Sequence, residues 1–145
     1  MRKLLLISFA ALTVASTTQA KDNLKWIAGP PGLPNGSTFA VVSGDPAKAG
    51  PFTVRMRFPA DYAVPAHHHP TDEHVTVVSG KVLFGMGDKA DKAKAKWMAT
   101  GEKGTAMAKM NHFVFTSAPA EVEVSAIGPF AITYANPTDD PRGSK

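Results

Sequence analysis

Five histidines occur in the 145 residues, and four of them fall in one stretch, Pro65-Ala66-His67-His68-His69-Pro70-Thr71-Asp72-Glu73-His74. His67 and His69 are two apart, which in an extended segment puts both imidazoles on one face. Glu73 follows four residues after His69, and a turn through Pro70 would bring its carboxylate back toward the same point. Neutral imidazole plus carboxylate is a borderline-hard donor set, suited to divalent Mn, Fe, Ni, Cu or Zn. A histidine run can also be an exposed loop or an adventitious metal-binding tract. The spacing of Glu73 and the distant His112 weigh against that bland reading. His112 opens the apolar run His112-Phe113-Val114-Phe115; taken alone it would be read as structural. His68, between two candidate ligands, is expected to point away from them. His74 is aimed at the opposite face, unless the turn is one residue longer and His74 replaces Glu73 as ligand. Asp72 reads as a turn former, with orientation of a ligand imidazole as the alternative role.

The spacing resembles the two sequence motifs of the cupin superfamily. Asp61 stands at the first glycine position of motif one; then come five residues, His67-x-His69, three residues, Glu73, six residues and Gly80. Motif two begins at Gly101 and runs through five residues to Met107, Ala108 and Lys109, then two residues, His112, three residues and Thr116. Met107, Lys109 and Thr116 stand where the family pattern has Pro, Gly and Asn. These departures touch turn-shaping positions and put Met107 where it could line the cavity. All four family ligand positions are filled.

The resemblance implies a double-stranded β-helix (jelly-roll) barrel holding a divalent transition metal on His67, His69, Glu73 and His112. Iron or manganese is favoured; nickel, copper and zinc also suit the donors. Four protein ligands on an octahedral ion leave two adjacent positions for water, dioxygen or a chelating substrate. That suits an oxygenase, and the same ion could act as a Lewis acid in an isomerase or decarboxylase. No catalytic acid or base beyond the metal set stands out. The only tyrosines are Tyr62 and Tyr134, and Glu102, Glu121 and Glu123 read as loop or exposed-strand residues. Phe84, Met86, Met107, Met110, Phe113 and Phe115 are numerous enough to line an apolar pocket, though such residues are more often plain core.

Elements that could position these residues are short. Twelve prolines and twelve glycines punctuate the chain and disfavour long helices. Between them lie runs rich in β-branched and aromatic residues: Ser37–Ser43, Phe52–Phe58, His74–Ser79, Val82–Met86, Lys94–Met98, Phe113–Thr116, Glu121–Ile127 and Phe130–Tyr134. Phe52, Val54, Met56 and Phe58 share one face of their run, with Thr53, Arg55 and Arg57 on the other. Many short alternating strands predict an all-β sandwich or barrel. The lysine-rich stretch Asp88–Trp97 is read as a loop entering a strand, its charge a solvated face.

The first twenty residues carry basic Arg2 and Lys3, an apolar run from Leu4 to Val14, and small residues before a cleavage point after Ala20. That pattern predicts a signal peptide over residues 1–20 and a periplasmic or secreted product. The expected organisation continues with an N-terminal arm (21–36), a cupin barrel (37–136) and a polar C-terminal tail (137–145) that frays. Arg2 and Lys3 carry half of the formal +4 charge, so support for a nucleic-acid partner largely disappears. No segment after residue 20 is long and apolar enough to predict a membrane span. Cysteine is absent, which excludes thiol nucleophiles, thiolate metal sites and disulfides. Cupins often pair through barrel faces or exchanged N-terminal strands, which would make a homodimer, with Leu24–Phe39 as the exchanged arm. Three functions compete: a metal-dependent enzyme on a small organic substrate, a non-catalytic periplasmic module for a small ligand or metal, and an interaction protein with a decayed site.

Overall fold

The computed structural model describes residues 23–143. The signal-peptide assignment over residues 1–20 and the last two residues of the tail lie outside them. Among the described residues eleven strands form two antiparallel sheets. They are β1 (Ile27–Ala28), β2 (Thr38–Ser43), β3 (Gly50–Phe58), β4 (Ala63–His68), β5 (Glu73–Ser79), β6 (Lys81–Met86), β7 (Lys96–Ala99), β8 (Lys103–Ala106), β9 (His112–Phe115), β10 (Ala120–Gly128) and β11 (Thr133–Tyr134). One sheet has the order β1-β2-β3-β10-β5-β8 and the other β11-β4-β9-β6-β7. This is the expected all-β jelly-roll barrel.

Period-two alternation sets which side of each strand is core. Phe52, Val54, Met56 and Phe58 of β3 face inward with Ala120, Val122 and Val124 of β10. Opposite them, on the outer face, Thr53 pairs with Ser125, Arg55 with Glu123 and Arg57 with Glu121. The sheet is thus apolar inside and laced by hydrogen bonds and ion pairs outside.

Three strands escape the sequence reading: the two-residue β1, and β4 and β8. The sequence of β4 (AVPAHH) contains Pro65, a residue confined to edges and bulges. Here Pro65 sits inside a bulge: Val64 pairs with Val114 and His67 with His112, three steps on β4 against two on β9. Strand β8 (KGTA) is poor in strand-forming residues, and it pairs with β5 along Glu73 to Thr76. The expected strand Phe130–Tyr134 shrinks to Thr133–Tyr134. Its first residues commit their backbone elsewhere: the Phe130 N–H donates to the Pro46 carbonyl at 2.7 Å, and the Ala131 carbonyl accepts from His69. The lysine-rich stretch is a loop with one short 3-10 turn, Lys92–Lys94, capped by Asp91 and leading into β7.

The segment expected as an arm folds onto its own barrel. Ile27 and Ala28 pair with Phe39 and Thr38, and Trp26 lies against the Arg57 guanidinium, 3.6 Å from the ring centre. Both tyrosines anchor the residues after β1: the Tyr62 hydroxyl donates to the Pro34 carbonyl at 2.5 Å and the Tyr134 hydroxyl to the Gly32 carbonyl at 2.8 Å. Leu33 is thereby buried in the core. The segment expected to fray is likewise tied down through residue 142. Arg142 donates to the Ile132 carbonyl at 3.0 Å and pairs with Asp140 at 2.7 Å. Among the described residues no helix is long and apolar enough to cross a membrane.

Candidate metal centre

The chain crosses between sheets immediately after the HxH pair. His67 is the penultimate residue of β4, His69 follows that strand's end, and Glu73 begins β5 on the facing sheet. His112 begins β9, beside β4. The β4 bulge decides the aim of His67. His112 is two residues from inward-facing Val114, so it faces inward; His67 is three from inward-facing Val64 and would face outward without the extra residue.

All four side chains are buried. Ring centroids lie 5.0 Å apart for His67 and His69, 4.3 Å for His67 and His112, and 5.2 Å for His69 and His112. One ring nitrogen from each of the three histidines lies within 4.8 Å of the others, so the set could hold a metal ion. The Glu73 carboxylate closes the group, 3.5 Å from the Nε2 atoms of both His69 and His112.

Tautomers follow from the partners of Nδ1. In each ring Nδ1 faces a backbone carbonyl: Pro65 for His67 (2.7 Å), Ala131 for His69 (2.7 Å) and Met110 for His112 (3.2 Å). A carbonyl only accepts, so Nδ1 donates in each ring and Nε2 is the nitrogen turned to the centre. Two of these Nε2 atoms, those of His69 and His112, face the Glu73 carboxylate. The Nε2 of His112 is fully buried and has no hydrogen-bond partner among the described residues. Unpartnered buried polar atoms are rare in native proteins. A cation among these donors answers both observations, so the residues fit the expected metal.

Burial is the main force on His67, with His112 and His69 adding to it, and together they push its pKa down to about 3. Burial also pushes His69 down. For Glu73 burial opposes ionisation, but the three histidines outweigh it and hold the carboxyl below its usual range. Neutral His67 and His69 beside an ionised carboxylate are in the state that metal binding requires.

The remaining sequence candidates separate clearly. His68 points away, as expected, and pairs through Nδ1 with the Asn111 side chain at 2.9 Å, which in turn donates to Asp88 at 2.8 Å. His74 is exposed on the other face of β5, with Nδ1 3.1 Å from the Thr105 hydroxyl, so it does not replace Glu73. Asp72 orients no imidazole; it accepts from the Ala108 N–H at 2.7 Å and ties the two motif loops together. The N–H of Lys109 donates to the His69 carbonyl at 2.8 Å in the same junction.

Met107 does not line the cavity, because its turn carries it into solvent, 57% exposed. Met86 and Met110 are also largely exposed, while Phe113 is core. Of the expected pocket-lining group, Phe84 reaches the site, its ring 5.6 Å from that of His112. Phe130, read only as part of a strand, packs its ring 4.9 Å from His69. No sequence signal marks Phe130, or the three carbonyls that fix the imidazoles. A space of about 40 Å³ lies beside the four candidate ligands, walled by Leu33, Phe58, Val64 and Val114 among others.

No family profile matches the sequence, and no curated protein matches it. Solved structures do. A sugar phosphate isomerase of the cupin superfamily from Silicibacter pomeroyi aligns with a TM-score of 0.59 and 18% identity, over 78% of each chain. An oxalate oxidase aligns with a TM-score of 0.55 and 22% identity, over 88% of this chain and 72% of that one. The polyketide cyclase RemF from Streptomyces resistomycificus aligns with a TM-score of 0.61 and 14% identity, over 73% of this chain and 75% of that one. At such identities the likeness is one of fold, and the fold is the cupin jelly-roll barrel.

Proposed function

We propose that the protein is a metal-dependent enzyme of oxygenase type acting on a small organic substrate, with His67, His69, Glu73 and His112 as ligands. The observation that carries the reading is the convergence of three Nε2 atoms and one carboxylate, with the His112 Nε2 buried and unpartnered among the described residues. Iron or manganese is the favoured ion, since imidazole and carboxylate without thiolate suit both. An ion held there supplies Lewis acidity and, if redox-active, one-electron chemistry with dioxygen.

This chain's own contribution is orientation and exclusion of water. Backbone carbonyls fix the three rings, while Phe84 and Phe130 flank His112 and His69 and keep the surroundings dry. Enzymes among the similar folds, the oxalate oxidase and the polyketide cyclase, support the enzymatic reading at the level of fold alone. In the same reading the protein works in the periplasm or outside the cell, which fractionation of the native host would test.

One observation favours a non-catalytic binding role. Both tyrosine hydroxyls are committed to arm carbonyls, and Glu73 is the one acidic residue lining the site. Metal analysis of gently purified protein, with EPR before and after anaerobic reduction, separates the readings. Stoichiometric iron or manganese, lost in His67→Ala and His112→Ala, supports the enzyme. Stoichiometric zinc with no oxygen uptake favours the binding module, and absence of any metal removes both.

A further inference from the structure

Beside the candidate metal centre the barrel holds a second space of about 70 Å³. Met56, Glu73, Val124 and Phe130 line both spaces, so the two adjoin. Pro30 of the tyrosine-held segment, Phe39, Pro46, Phe52 and Val54 complete its wall. Phe52 and Phe130 meet edge to face, 6.2 Å apart. Protein interiors are packed with few voids larger than a water molecule. An apolar void that opens onto a buried polar centre is therefore a feature to be filled.

We propose that this chamber is the subsite for the apolar tail of the substrate, and that the substrate is a small oxygen chelator with a short hydrocarbon tail and at most one negative charge. The proposal rests on the metal-centre reading above and names the substrate class for it.

Three observations set the class. The chamber's wall is aliphatic, aromatic and proline, with Glu73 as its only polar residue, at the end nearest the histidines. Its volume is about half of the ~150 Å³ known to hold a benzene ring, which sets the tail at about three or four carbons. The third observation is charge. Among the described residues no lysine or arginine lines either space. A divalent ion with neutral imidazoles and ionised Glu73 carries one net positive charge. A monoanion neutralises it, whereas a dianion would leave an unpaired buried charge, which is costly.

Alkyl hydroxamates test this, because they chelate through two oxygens as monoanions and vary only in their tails. Protein loaded with Mn(II) or Co(II) is titrated with acetohydroxamate, butyrohydroxamate, octanohydroxamate and oxalate, followed by calorimetry and by the metal's spectrum. Two more buried methylenes should make butyrohydroxamate bind about tenfold tighter than acetohydroxamate. Octanohydroxamate should lose that gain, and oxalate should bind more weakly than butyrohydroxamate. Val54→Phe fills the chamber and should erase the difference between the methyl and propyl compounds. Phe39→Ala enlarges it and should restore octanohydroxamate, which keeps the idea testable if Val54→Phe fails to fold. Equal binding of the two short hydroxamates, or tighter binding of oxalate, by metal-loaded protein overturns the subsite and leaves the metal centre standing. Failure to take up metal at all overturns the reading beneath it.

Discussion

Glu73 is the residue on which the chemistry of the site turns. In metal-free protein its two oxygens lie 3.5 Å from the Nε2 atoms of His69 and His112, and the histidines hold the carboxyl ionised against its burial. Glu73→Gln keeps the shape and removes that charge. At about pH 8 the metal-free variant should therefore melt a few degrees lower than the parent, as the loss of ~1 kcal/mol would give in a domain of this size. Its affinity for Mn(II) should fall at least about tenfold, since an amide is a poor ligand beside a carboxylate. Scanning calorimetry and metal titration read the two effects separately. A variant that binds Mn(II) as tightly as the parent would show Glu73 to be a structural residue and not a ligand.

At the scale of elements, the loops beside the candidate ligands help to place the strand ends that carry most of them. Lys109 and Asp61 occupy two of the four glycine positions of the motifs, and both have positive φ, 63° and 56°. The left-handed turn is thus kept although the glycine is gone. For a non-glycine residue that conformation costs about 1–2 kcal/mol, and for aspartate less than for lysine. Lys109→Gly should accordingly stabilise the protein by up to about 1 kcal/mol, while Lys109→Val should destabilise it. Asp72 joins the same turn to the loop of motif one through the Ala108 N–H. Asp72→Ala should weaken metal binding about tenfold without touching a ligand, as loss of supporting contacts does elsewhere. Metal titration of the three variants, beside their denaturant midpoints, checks this. Thr116, standing where the family has Asn, is fully buried and does a turn-pinning job: its hydroxyl donates to the Pro59 carbonyl and accepts from the Tyr62 N–H.

These loops also show what the sequence could reveal. The ligand spacing is legible because HxH and Glu73 lie close along the chain, and alternation in Phe52–Phe58 reveals the core face of β3. The aim of His67 is not, since it depends on a bulge that only pairing with β9 defines. Nor is the role of Phe130 or the Ala131 carbonyl, which meet His69 from 61 and 62 residues away in the chain. Met107 misleads because the family's proline position suggests a cavity wall, whereas its turn leads the side chain into solvent.

For the whole molecule the buried site links stability to pH. His67, ordinarily near 6.5, sits at about 3 in the fold. Between those values the unfolded chain binds a proton that the folded chain refuses. The stability tied to neutral His67 is therefore complete above about pH 6.5 and is lost as pH falls toward 3, at up to ~1.4 kcal/mol per unit. His69 is displaced in the same direction. Glu73, held below its usual range, adds a loss at lower pH, where the unfolded chain takes up the proton that the folded carboxyl still resists. All three effects share one sign, so metal-free protein should melt at steadily lower temperature from about pH 7 to pH 5. Bound metal stabilises by mass action, and ligand protonation competes with it in the same window. The gap between loaded and metal-free melting temperatures should thus be widest near neutrality and narrow toward about pH 5. Calorimetry on metal-loaded and chelator-treated samples across that range measures both slopes. His67→Ala should flatten the metal-free slope, since one of the displaced groups is gone. A metal-free melting temperature that stays level from about pH 7 to pH 5 would show that the buried imidazoles do not govern acid stability.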